Sequence, residues 1–124
     1  MPRSLRAILA AALWIACSEF FRNQVLLLPQ WTAHYQRMGL VFPAAPVNGA
    51  VWGLWSLCFA IVIFVLSRRF TLAQTAALAW FTGFGLMWLV IGNLGVLPWG
   101  ILPWAVPLSA LEAGVAAWLC HRLG

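Results

Sequence analysis

The sequence predicts an all-α integral membrane protein, a single four-span bundle covering residues 1–124, with both termini inside and one outer loop over about residues 29–48. Three observations predict it. Hydrophobic residues make up 65% of the chain and charged residues only 7%, too little polar surface for a soluble protein of this length. The apolar residues gather into four stretches, each near the roughly 20 residues that cross a hydrocarbon core about 30 Å thick. The basic side chains of fixed charge are all arginine and, Arg22 apart, fall outside those stretches.

Span one covers about residues 7–28, and its length favours a retained span over a cleaved leader. It is interrupted by S-E-F-F-R-N-Q, residues 18 to 24. Its ten Leu, Ile, Phe and Val residues contribute roughly −3 to −6 kcal/mol to insertion. Glu19 and Arg22, charged and unpaired, oppose this by about 2.5–3.5 kcal/mol each. Span one is therefore near break-even alone, and its polar groups need partners inside the protein. Glu19 stands three residues before Arg22 and four before Asn23, which puts all three on one helix face.

The outer loop, PQWTAHYQRMGLVFPAAPVN, is expected to carry a short interfacial helix over Trp31–Met38. Pro43 and Pro46 then lead into span two, about 48–66, with Asn48 as its cap. Gly49 and Gly53 form a G-x-x-x-G pair and Ala113 and Ala117 a small-x-x-x-small pair, patterns that permit close helix approach. Arg68 and Arg69 fill the next turn, and Thr71 with Gln74 is a capping-box pattern that starts span three, about 72–94. Span four, about 101–119, follows Pro98 and contains Pro103 and Pro107. A continuous helix kinked near Pro107 is expected, because a helix starting at Ser109 is too short to cross.

Orientation follows from the arginines. Arg3, Arg6, Arg68, Arg69 and Arg122 lie on one side and Arg37 alone on the other, so the positive-inside rule puts both termini in the cytoplasm of a bacterial inner membrane. Trp31, Tyr35, Trp52, Trp99 and Trp104 then fall at the outer interface, where amphipathic rings concentrate. Trp14, Trp80 and Trp88 lie deeper and are candidate walls of an aromatic ligand pocket.

Several function classes are excluded or disfavoured. The arginines form no basic face, which argues against nucleic acid. The absence of lysine excludes a lysine Schiff base. Cys17, Cys58 and Cys120 never form C-x-x-C and read as small buried hydrophobes. His34, in the outer loop, and His121, near the C-terminus, are expected at opposite faces, and no metal set or other cofactor signature appears. The second acidic residue, Glu112, lies about 12 Å from the inner end of span four and Glu19 about 18 Å from that of span one, at 1.5 Å per residue. A polar cluster of Glu19, Arg22, Asn23, Glu112 and Ser109 is therefore expected inside the membrane, with Ser18 and Asn93 as further candidates.

Intramembrane ionisable groups are functional candidates. No catalytic set accompanies them, which disfavours an enzyme. The expected role is accessory or ligand-binding: packing within a homo-oligomer or larger membrane complex, or holding a hydrophobic small molecule. The alternative is a small proton-coupled transporter or channel subunit working through Glu19 and Glu112.

Overall fold

A computed structural model describes all 124 residues. All of its regular secondary structure is helical. Helix α1 runs Arg3–Leu26, α3 Pro46–Ser67, α4 Leu72–Asn93 and α5 Trp99–Leu123, and these four are long and apolar enough to cross a membrane. Between the first two lies the short helix α2, Leu28–Arg37.

Local chemistry sets the boundaries. Leu28 belongs to α2 rather than to the first long helix, and α2 begins three residues before the expected Trp31. Proline supports that start, because Pro29 occupies its first turn, where a missing N–H costs nothing. Gly39, at φ 74°, follows α2, and Gly95, at φ 76°, closes α4; both take a left-handed conformation that glycine adopts without a Cβ penalty. Asn48 sits inside the first turn of α3 and reaches back to accept from the Ala45 N–H at 3.0 Å. At the start of α4 the Gln74 side chain accepts from the Thr71 N–H at 3.1 Å, and the Gln74 N–H donates to Thr71 Oγ1 at 3.2 Å. That is a reciprocal capping box. Pro107 lies within an unbroken α-helix, Leu102–Leu123.

Two turns depart from α geometry. The last turn of α1, Arg22–Leu26, and the middle of α4, Phe81–Gly85, are π-helical, a form that appears mostly as single widened turns.

Helix α1 packs against α3 and α5, and α4 packs against α5 and α3. The α1–α5 seam is lined with small residues. Ala7 and Ala11 on α1, and Ala113, Ala116 and Ala117 on α5, are fully buried, and their size lets the backbones approach. Gly49 and Gly53 do not act this way: nothing lies within 4 Å of where a Cβ would sit on either. Close approaches occur instead at Gly83, where a Cβ would meet Phe59 Cζ at 2.5 Å, and at Gly92, where it would meet the Trp99 ring at 2.5 Å.

The other half of the core is aromatic. Phe59 and Phe84 meet edge to face with centroids 5.7 Å apart, with Trp55 5.0 Å from Phe59 and Trp88 5.7 Å from Phe84. Only 25 of 124 residues are buried, so most apolar side chains point outward, among them Leu13, Phe20, Leu54, Leu89 and Leu111. Contiguous apolar surface of that kind is what a bilayer covers. Cys17 and Cys58 are part of this outer surface, contrary to the expectation that all three cysteines are buried; only Cys120 is.

Candidate functional site

The C-terminal half of α1 carries the polar residues. Helical spacing stacks Glu19, Arg22 and Asn23 on one face, and the structure turns that face inward. Arg22 Nη2 donates to Glu19 Oε1 at 2.6 Å, and Asn23 Nδ2 donates to Glu19 Oε2 at 3.0 Å. Arg22 Nη1 reaches across to α5 and donates to Glu112 Oε1 at 3.0 Å. One guanidinium therefore holds two carboxylates from two helices. All three side chains are at most 4% exposed. Buried charges of this kind need such pairing to be tolerated.

The chain of contacts continues at both ends. Trp14 Nε1 donates to the Glu112 backbone oxygen at 2.9 Å. Asn23 Oδ1 accepts from Trp31 Nε1 at 3.0 Å, which ties α2 to the buried cluster. A second tie to α2 runs between His34 Nε2 and the Gly95 carbonyl, 2.8 Å apart. Within the cluster Glu112 Oε2 is buried without a hydrogen-bond partner. The Arg22 guanidinium also lies over the Phe84 ring, 5.2 Å from its centroid, a cation–π geometry.

Ser109 stands apart from this cluster. It accepts from Trp80 Nε1 at 2.9 Å and donates to the Val106 carbonyl at 3.0 Å. Ser18 and Asn93 contribute no hydrogen bond to it either. The three deeper tryptophans are likewise divided. Trp80 and Trp88 pair edge to face with centroids 6.3 Å apart, while Trp14 serves the Glu112 backbone. Of the three, Trp88 alone lines either of the two cavities described next.

A cavity of about 350 Å³ lies against the cluster. Glu19, Arg22, Asn23 and Gln24 line it on one side, and the rings of Trp31, Tyr35, Phe42, Trp52 and Trp88 on the others. Trp31 stacks on Phe42 at 5.6 Å and 16° between planes, and Tyr35 meets Phe42 edge to face at 5.1 Å. A second cavity of about 360 Å³ runs between α1 and α3 past Ala16, Phe20, Gly49 and Gly53, and shares Glu19, Asn23, Gln24 and Trp52 with the first. The unfilled space beside Gly49 and Gly53 is thus part of an open cleft.

Phe42, Phe84 and Gln24 are site residues that the sequence reasoning passed over. Phe42 lies in an irregular stretch with no period to read. Phe84 stands between Gly83 and Gly85, and that flanking was the available signal of a ring with close neighbours. No three His, Cys, Asp or Glu side chains converge as metal ligands would. Comparison of the chain with protein-family models, curated proteins and solved structures gives no match, so function is argued from this geometry.

Proposed function

We propose that the protein is a small inner-membrane binding protein, with both termini in the cytoplasm, that holds a small amphipathic molecule in the aromatic cavity as an accessory to membrane chemistry carried out elsewhere. The observation that carries this reading is the joining of a buried charged cluster to an aromatic-walled cavity of about 350 Å³. Sites for small molecules combine apolar walls with a few placed polar groups at volumes of about 300–1,000 Å³. Glu19, Asn23 and Gln24 fix the polar end of the ligand, and the rings cover its body. The cleft beside Gly49 and Gly53 gives access from the lipid side. The arginine bias supports this orientation, with the cavity in the outer half of the membrane.

Native mass spectrometry of the protein, gently extracted from its own membrane, tests this. A reproducible small mass that disappears in Trp52→Ala and Trp88→Ala is the expected result. Bare protein, together with unaltered tryptophan fluorescence on adding total lipid extract, refutes it.

A second reading, proton-coupled transport, is favoured by one observation: two carboxylates from different helices share one guanidinium, an arrangement in which a proton can be exchanged between helices. In that case Glu19→Gln abolishes proton flux into proteoliposomes. For a binding protein the wild type shows no flux to lose.

A further inference from the structure

We infer that the ligand of the aromatic cavity is an organic cation, accepted in exchange for one proton held by the Glu19–Arg22–Glu112 cluster. This rests on the cavity being the binding site.

The charge count is the first ground. Helix α1 supplies Glu19 and Arg22 and α5 supplies Glu112, with the two carboxylates on separate nitrogens of the one guanidinium. The other elements facing the cavity bring no compensating charge: α2 presents Trp31 and Tyr35, α3 Asn48 and Trp52, and α4 Met87 and Trp88. His34 is engaged with the Gly95 carbonyl instead. With both carboxylates ionised the cluster is one positive charge short. An unbalanced buried charge is expensive in a membrane, so the neutral form carries either one proton or one external cation.

The second ground is the orphaned oxygen. Glu112 is fully buried, and its Oε2 has no partner, as expected of a cluster lacking one positive group. Glu19 belongs to both the cluster and the cavity wall, so a cation in the cavity supplies the missing charge through Glu19.

The third ground is the wall chemistry. Aromatic faces attract cations through their quadrupole, and several rings around one carboxylate are the usual receptor for alkylammonium groups. Arg22 does not oppose this, because both its Nη atoms already serve carboxylates and its face covers Phe84. An anion in the same place leaves the site with unbalanced negative charge even when the proton is retained. The exchange balances: the cation enters, the proton leaves the carboxyl pair for solvent, and the net charge of the site is unchanged.

Three probes of one shape and different charge test this on the full chain in lipid nanodiscs: phenyltrimethylammonium, its neutral isostere tert-butylbenzene, and benzenesulfonate. Binding is read by tryptophan fluorescence against protein-free discs, and proton release by pH change in weak buffer. The cation cannot itself lose a proton, so any proton released comes from the protein. The expected result is binding of the cation at least about tenfold tighter than the isostere, no binding of the anion, and about one proton released per cation bound. Glu19→Gln should bring the cation down to the affinity of the isostere. Proton release by the wild type tests the proposal even if that variant does not fold. Equal affinity for cation and isostere without proton release overturns the cation assignment and leaves the cavity reading standing. Absence of binding by all three probes overturns both.

Discussion

Arg22→Met is the perturbation that bears most directly on how the bundle is held. Arg22 is 3% exposed and is the sole cation in contact with Glu19 and Glu112. Methionine keeps the apolar stem and removes both charge-assisted bonds. Breaking a buried pair by deleting one partner costs about 3–5 kcal/mol, because the other charge stays buried without compensation. Loss of the contact with Phe84 adds roughly 0.5–2 kcal/mol. The expected loss is therefore at least about 3 kcal/mol, more than a hundredfold in the folding equilibrium. The same physics predicts strong non-additivity. The triple variant Glu19→Gln, Arg22→Met, Glu112→Gln contains no charge to strand, and replacing a whole buried ionic group is often neutral. Its stability should return to within about 1–2 kcal/mol of wild type, far above the sum of the three single losses. Equilibrium unfolding in mixed micelles, followed by tryptophan fluorescence, measures all four proteins. A loss below about 1 kcal/mol for Arg22→Met, or a triple variant as poor as the summed singles, refutes the reasoning.

Three further substitutions probe the neighbouring structure. Gly83→Ala places a Cβ 2.5 Å from Phe59 Cζ, forces the Phe59 ring to shift against Trp55 and Phe84, and should destabilise by about 1–3 kcal/mol, whereas Gly53→Ala meets nothing within 4 Å and should be neutral or stabilising by up to about 1 kcal/mol in the same unfolding assay. Trp31→Phe removes the N–H that Asn23 Oδ1 accepts while keeping a ring against Phe42, so a loss of about 0.5–1.5 kcal/mol should appear as faster amide exchange confined to Leu28–Arg37, with the long helices unaffected.

Much of the helical architecture was legible because its signals are strong and local. Hydropathy marks the four long helices, and their termini follow from chemistry visible over three or four residues, as at Thr71 and Gln74. The i, i+3, i+4 spacing of Glu19, Arg22 and Asn23 likewise reads directly as one face. Pairings between helices are a different matter. Ser109 and Glu112 stand three apart on α5, yet one serves Trp80 and the other Arg22, and only the rotation of α5 against its neighbours decides which. The glycine pair in α3 shows the limit most clearly. Its spacing matches a packing motif, but packing needs a partner helix on that face, and here the face borders a cleft. Trp14, Trp80 and Trp88 were grouped by depth alone, which says nothing of azimuth around the bundle.

The widened turns explain how the site is placed. Along α1 the buried positions run Ala7, Ala11, Ile15, Glu19 and Arg22, with Leu27 next, just past its end; along α4 they run Thr75, Ala79, Phe84 and Trp88. The steps are three or four residues except at two places, Arg22 to Leu27 and Ala79 to Phe84, where the step is five. Those two places are the π turns, and Leu27 N–H donates to the Arg22 carbonyl at 2.8 Å across the first of them. At about 100° per residue, an α-helix with a five-residue step swings its core face well away from the bundle. A widened turn absorbs the extra residue and keeps both faces inward. The residue at the start of one π turn, Arg22, lies against a residue inside the other, Phe84. Each helix gives up ideal geometry at the level where guanidinium and ring meet, and single π turns are frequent at functional sites. The irregular turns, the charged cluster and the cavity wall are therefore one structural unit, and a change in either π turn should be felt first at Arg22.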